Sequence, residues 1–368
     1  MIIAYLATFC FSFLISLCLT KGFIWLSYKF DFLDVPMQLS RKNHQKSTPL
    51  LGGPAVFISF FMTIFFLTII FYFFEEQIVS LLNIEYLSFT NIFSQAKKLF
   101  SIFMGGFLIL VVGIKDDKHG MNPLPKLLAV TLVAFLLFYL NIRITIFIKL
   151  PYISFIFTLL WMLFLTNSFN LLDNMDGSSS LVAVSASLSM LIVSVILEQY
   201  LVSLYLITFI GVLLGFLRYN FFGGRIFLGD SGALFIGYNL SVATILESFF
   251  ISGKSSAMLV FLPLFIFIVP LYDTFSVILI RIKNGHPVYK GDLNHVTHRL
   301  ERKGLSKKVT VLFVSGLSLI IGAASSYLFL RYSMSFINAI ALFAIAFSLV
   351  FLFEKITGWI LSQKVFKE

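Results

Sequence analysis

Residues Thr166–Gly177 read T-N-S-F-N-L-L-D-N-M-D-G and follow directly on the apolar run from Ser154 to Leu165. Asn167, Asn170, Asp173, Asn174 and Asp176 fall within this short stretch, with no Lys or Arg among them. If the helix of the apolar run continues through them, the spacing of three keeps Asn167, Asn170, Asp173 and Asp176 near one face. The plainer alternative is a helix end running into a loop, with Gly177 as the breaker. Polar residues at the end of a membrane helix are costly and mark a pathway or a reaction centre.

That this is a membrane helix follows from the rest of the chain. Of 368 residues, 59% are hydrophobic and 12% charged, against about 25% charged in a soluble domain. Apolar runs of roughly 20 residues recur, each long enough to cross the hydrocarbon. The fold expected is an all-α polytopic membrane protein with about eleven spans, near 2–27, 51–74, 99–114, 127–142, 147–166, 178–197, 201–217, 232–251, 256–280, 309–330 and 335–353. The first run lacks a basic leader and a small-residue cleavage site, so it reads as a retained helix. Cys10 and Cys18 both lie in it and offer neither a disulfide framework nor a metal site. Lys and Arg crowd the odd-to-even connections, which places the N-terminus outside and the C-terminus in the cytoplasm. The net charge of +10 then reflects this bias and anionic partners at the membrane, not nucleic acid.

All nine aspartates and all five histidines fall on or near the expected cytoplasmic side. A transporter, the alternative class, more often carries its acids at mid-membrane in broken helices. Chemistry gathered at one interface suits an enzyme that joins a water-soluble substrate to a lipid.

Four further clusters lie on that side. Gly113–Lys126 carries adjacent Asp116 and Asp117 after an apolar run, a reasonable site for a divalent cation or a general base, since unbridged paired carboxylates repel. Phe227–Gly237 reads F-L-G-D-S-G-A-L-F-I-G: glycines flank Asp230 and Ser231, and the run opens a helix whose amides are expected to favour phosphate. His286–Arg302 places His295 and His298 at i, i+3, with Arg299 next and Asp292 near enough to orient an imidazole; anion binding fits this set better than zinc. Lys42–Pro54 ends in T-P-L-L-G-G-P, where Lys46 and Thr48 are within reach of an anion.

Together these elements resemble the polyprenyl-phosphate N-acetylhexosamine-1-phosphate transferases, glycosyltransferase family 4, and within it the UDP-GlcNAc–undecaprenyl-phosphate GlcNAc-1-phosphate transferases. The T-P-x-x-G-G element matches Thr48–Gly53, the D-D pair Asp116–Asp117, the N-x-x-N-x-x-D-x-x-D-G element Asn167–Gly177, the G-D-x-G element Gly229–Gly232, and the histidine loop Asp292–His298. The resemblance implies a single transferase domain over 1–368 whose motifs sit on cytoplasmic loops near 28–50, 114–126, 167–177, 218–231 and 281–308. It implies transfer of GlcNAc-1-phosphate from a UDP-N-acetylhexosamine to polyprenyl phosphate, with UMP released, in the plasma (inner) membrane. UDP-MurNAc-pentapeptide is the alternative donor, and a lipid or nucleotide flippase the alternative function.

By position, Asp230 resembles the magnesium-binding residue, with Asp117 as a second metal candidate; manganese is an alternative ion. Asp116 and Asp117 resemble the pair that activates the lipid phosphate or assists the metal. Asn220 and Phe227 resemble positions bordering the uridine. Asp173 and Asp176 resemble acids near the nucleotide. The catalytic set is therefore Asp116, Asp117, Asp173, Asp176, His295 and His298. Lys46, Thr48, Lys126, Asn167, Asn170, Asn220, Phe227 and Arg299 are the substrate-binding set, and a homodimer is compatible with both. Three departures stand out: Asn174 where many members have Gly, Ser178–Ser180 in place of small apolar residues, and Thr297 where many have His.

Overall fold

A computed structural model describes residues 1–34, 47–82, 95–145, 150–222, 224–249, 257–289, 291–332 and 334–365. Lys46 therefore lies outside the described residues. Within them the regular structure is helical apart from one two-stranded antiparallel sheet. Eight helices are long and apolar enough to cross a membrane, and nine if the pair Ala257–Ile266 and Ile268–Lys283, bent by 60°, is one span. Each of the eleven expected runs falls on a helix or on that bent pair. Two differ from the rest. Pro123–Tyr139 has only 17 residues, about 26 Å at 1.5 Å per residue. Gly229–Leu246 has 18 and spends its first turn on G-D-S-G.

The chain divides into two compact units, Met1–Thr166 with Ser203–Leu246, and Asn167–Val202 with Glu247–Glu368. In the first, helices α1 (Ile2–Lys29), α2 (Gly52–Phe73), α3 (Glu75–Leu82), α4 (Ala96–His119) and α5 (Pro123–Tyr139) precede α6 (Pro151–Leu172), and α8 (Tyr200–Asn220) and α9 (Gly229–Leu246) complete it. Apolar lipid gives helices little hydrophobic reason to associate, so close packing and interhelical hydrogen bonds carry the contact. Here α9 is buried along nearly its whole length. Tyr238 Oη donates to the Ile102 carbonyl at 2.8 Å, and Phe235 meets Phe57 and Phe60 edge-on. The start of α9 is gripped more closely: a Cβ on Gly53 or on Gly113 would collide with Ser231. The T-P-x-x-G-G and G-x-x-D-D elements thus share a local reason for glycine. The sheet pairs β1 (Leu33–Asp34) with β2 (Thr48–Pro49), and Pro49 O accepts the Phe227 N–H at 2.8 Å.

In the second unit, α7 (Ser178–Ile196) packs against α13 (Lys307–Arg331) through small polar residues. Ser185 Oγ donates to Ser315 O at 2.9 Å and Ser326 Oγ to Ser189 O at 3.2 Å. The short α10 (Leu262–Ile266) and the bend at Phe267 precede α11 (Ile268–Lys283), which leads to the short α12 (Val296–Glu301), and α14 (Phe336–Val365) is the last helix described.

The segments expected as loops are partly helical. Residues 114–119 and 123–126 belong to α4 and α5, 167–172 to α6, and 218–220 and 229–231 to α8 and α9. Intrahelical hydrogen bonds satisfy the backbone of these polar ends, so an apolar run need not stop being a helix where it turns polar.

Candidate active site

In the first unit, the positive φ of Gly120 (66°) ends α4, and Pro123 in the first turn starts α5. This turn returns Lys126 to the acids it left behind. Lys126 Nζ pairs with Asp116 Oδ2 and lies 3.3 Å from Asp230 Oδ2. The side chains open outward in order: Asp116 is 4% exposed, Lys126 17% and Asp230 39%. Asp230 is therefore the member best placed to meet a ligand.

Asp117 faces differently. Its Oδ1 accepts the Asp230 N–H at 2.6 Å and its Oδ2 the Ser231 N–H at 3.2 Å. A carboxylate there satisfies donors that a helix start otherwise leaves unpaired and complements the dipole. Gly229 permits this with φ of 72° and a would-be Cβ only 2.7 Å from Asp117 Oδ2. The amides expected to receive a phosphate are thus already bonded to Asp117. Asp116 and Asp230 share the Lys126 ammonium.

Magnesium fits this donor set. A cationic nitrogen already bridges two carboxylates at the spot, and oxygen donors suit the ion. Among the described residues no three His, Cys, Asp or Glu side chains form a ready cage, but magnesium commonly takes one or two carboxylates and completes its shell with water and substrate phosphates.

Phe227 is half-buried on the 221–228 connection, which Asn220 braces. Asn220 is 2% exposed and its Nδ2 donates to Ile226 O at 2.9 Å. Nδ2 thus braces the connection, while the buried Oδ1 has no hydrogen-bond partner among the described residues. Thr48, 7% exposed in β2, is likewise turned into the fold.

In the second unit, Asn167 and Asn170 lie on α6, but the helix ends at Leu172. Asp173 and Asp176 follow in a turn, where Ser178 N–H donates to Met175 O at 2.9 Å. The four-rung ladder is cut in half because Gly177, at φ 79°, resets the chain to start α7. Asp176 is exposed and Asp173 half-buried.

Two of the departures from the pattern that the sequence resembles meet. Thr297 Oγ1 donates to Asn174 Oδ1 at 2.5 Å, while Asn174 Nδ2 donates to Leu171 O at 3.1 Å. One side chain thereby closes the acidic turn and ties it to the histidine loop. The third departure, Ser178–Ser180, is buried at the start of α7.

The histidines are held by carboxylates other than Asp292. His295 Nδ1 stands 2.8 Å from Asp273 Oδ2, and Asp273 Oδ1 accepts the Val296 N–H at 2.6 Å. Asp273 is fully buried and His295 is 4% exposed. His298 Nδ1 lies 3.2 Å from Glu301 Oε2. Asp292 instead receives Arg281 Nε at 3.0 Å and the Asn294 N–H at 3.0 Å. Burial pushes its carboxyl up, but Arg281 and Asn294 outweigh that and hold it down at about 2. This pair therefore stabilises the fold above the ordinary carboxylate pKa, about 3.9, and the contribution fades as pH falls toward the folded value.

Arg299 is not loose. Its Nε and Nη2 bond Glu354 Oε1 and Oε2 at 2.8 and 2.9 Å, and Nη2 also donates to Ser276 Oγ at 3.1 Å. Tyr272 Oη donates to the same Glu354 at 2.6 Å. A bidentate pair of this kind specifies geometry, so Arg299 fastens the histidine loop to α14.

Sequence reasoning missed Asp273, Glu354 and the Asn174–Thr297 bond. Asp273 had a signal: a carboxylate inside an apolar helix is expensive and is normally paired.

These features define a polytopic helical membrane protein with a carboxylate–lysine cluster at the ends of three helices and a braced histidine loop. The profile of Glycosyl transferase family 4 matches residues 99–248. The chain is 28% identical over 298 residues to the probable undecaprenyl-phosphate N-acetylglucosaminyl 1-phosphate transferase of Bacillus subtilis, covering 78% of this chain and 75% of that one. The decaprenyl-phosphate N-acetylglucosaminephosphotransferase of Mycolicibacterium smegmatis is 26% identical over 315 residues, covering 78% and 73%. A phospho-N-acetylmuramoyl-pentapeptide-transferase of Bacillus cytotoxicus is 27% identical over 249 residues, covering 64% and 72%.

Proposed function

We propose that the protein transfers N-acetylhexosamine-1-phosphate, in the first instance GlcNAc-1-phosphate, from its UDP-sugar to a polyprenyl phosphate, initiating a cell-envelope glycan at the cytoplasmic face of the plasma membrane. The observation that carries this is the Asp116–Lys126–Asp230 cluster at the G-D-S-G helix start. It offers charges of both signs at helix ends, where a diphosphate has to be held.

A phosphate oxygen of the acceptor lipid attacks the sugar-linked phosphorus; that P–O bond forms as the bond to UMP breaks. Asp230 with Asp116 would hold a magnesium ion, which would neutralise part of the negative charge gathered on the diphosphate. Lys126 holds the two carboxylates together and offers an ammonium to phosphate. Asp117 keeps α9 in position under Asp230. His295 and His298 offer ring nitrogens to an anion. GlcNAc is favoured over MurNAc-pentapeptide as the sugar by the relatives with the broader coverage and by Thr297, which interrupts the run of histidines.

The test is UMP release by the purified full chain with magnesium, undecaprenyl phosphate and a panel of UDP-sugars. UDP-GlcNAc is expected to give the highest kcat/KM; UMP release from UDP-MurNAc-pentapeptide alone refutes the choice of sugar, and none from any donor refutes the transferase reading. Phe227→Ala is expected to weaken UDP-GlcNAc binding by about 1–3 kcal/mol through lost stacking on uracil. Unchanged affinity by calorimetry removes Phe227 from the nucleotide site.

A further inference from the structure

The geometry points to a binding groove for an anionic glycerophospholipid, formed by α1 and the C-terminal end of α8 in the first unit. The groove itself does not depend on the transferase reading; excluding the acceptor lipid as its occupant rests on that reading. The two helices pack tightly where small residues meet: a Cβ on Gly211 or Gly215 would strike Ser12 or Ser16, and Ser16 Oγ donates to Val212 O at 2.7 Å. Beyond that crossing the walls part around a cavity of about 680 Å³.

Phe13 and Leu17 give this cavity an apolar floor, and Lys21, Arg218 and Arg225 bring three positive side chains to it. Trp25 and Tyr219 line it as well, the residue types that settle at the headgroup level of a bilayer. Residues 13, 17, 21 and 25 recur every four positions and so form one stripe on α1. From Phe13 to Lys21 the stripe rises about 12 Å, enough to lay the upper part of an acyl chain beside the floor with a phosphate among the cations. Lys29 Nζ sits 4.9 Å above the Trp25 ring, which fixes that ring at the mouth.

Charge complementarity selects the occupant. Among the described residues no carboxylate lines the cavity, and all three cations are solvent-exposed, so the groove is set for an anion. A soluble phosphate would have no use for the apolar floor. The acceptor lipid of the proposed reaction has to bring its phosphate to Asp116 and Asp230, and neither they nor Lys126 line this groove. A resident phospholipid meets both demands. Arg225 stands in the connection between α8 and α9 that also carries Phe227, so the headgroup would pin that connection from outside.

The experiment is native mass spectrometry of the full chain released from detergent, with phosphatidylglycerol, phosphatidylcholine or undecaprenyl phosphate added. Wild type is expected to retain one phosphatidylglycerol in preference to phosphatidylcholine. The triple variant Lys21→Gln, Arg218→Gln, Arg225→Gln is expected to bind it on the order of a hundredfold more weakly, about fivefold per charge. If the triple variant does not fold, Lys21→Gln and Arg218→Gln are measured singly, each with the fivefold loss. Equal retention of the two phospholipids by wild type overturns the proposal, as does undiminished phosphatidylglycerol binding in the variants. Undecaprenyl phosphate displacing phosphatidylglycerol one for one, with the same loss in the variants, assigns the groove to the acceptor lipid and also overturns it.

Discussion

Asp230→Asn is expected to abolish turnover while the protein stays folded. The substitution removes a charge from the most open member of the Asp116–Lys126–Asp230 cluster and keeps its shape. The bond that anchors α9 comes from the Asp230 backbone N–H, which the substitution does not touch. Loss of a metal-facing carboxylate costs several kcal/mol of barrier, about a thousandfold or more in kcat. Asp117→Asn is the companion. It weakens the acceptor of two helix-terminal N–H groups, so its melting temperature falls, with about 1–3 kcal/mol of stability lost. Turnover and thermal melts of both variants in detergent separate the roles. Asp230→Asn activity above roughly a tenth of wild type at saturating magnesium disproves the metal assignment. An unchanged melt for Asp117→Asn disproves the capping role.

Asp273→Asn should be the second large effect. Asp273 uses one oxygen on His295 Nδ1 and the other on the Val296 N–H. An Asn can still accept from Val296, but its NH₂ then faces His295 and reverses the proton arrangement of the ring. With Nδ1–H given to Asp273, a neutral His295 presents an unprotonated Nε2. With the amide, Nε2 carries the proton instead. A drop of about 10²–10³-fold in kcat is expected, the scale of a misassigned acid–base or anion-binding group. Because Asp273 acts through His295, the double variant Asp273→Asn, His295→Ala should be no worse than His295→Ala alone. Full additivity in kcat, or a single variant within threefold of wild type, would mean that Asp273 is only a packing residue.

Arg299 shows how the second unit changes the chemistry expected of its own sequence. Read along the chain, it joins His295 and His298 as part of a clamp for an anion. In the fold its guanidinium is engaged by Glu354, Ser276 and Asn294. The histidine loop is therefore held by Asp273 on one side of α12 and Glu354 on the other, and Arg299 serves the loop's position.

Helix class and the places of the long apolar helices were legible because they depend on local chemistry. A run of Leu, Ile, Phe and Val has one stable backbone in lipid, and acids beside glycines at helix ends announce themselves by their cost. Side-chain periodicity does not say where a helix ends once the chain turns polar. Only the structure shows that α6 stops at Leu172 and splits Asn167 and Asn170 from Asp173 and Asp176. Nor does spacing reveal a partner more than a hundred residues away. Asp117 beside Ser231 and Asn174 beside Thr297 are each such a pair, as adjacent Asp116 and Asp117 are two residues with different tasks. A carboxylate is assigned by the donors that surround it, and those donors come from other helices, so the division of labour was decided by tertiary packing.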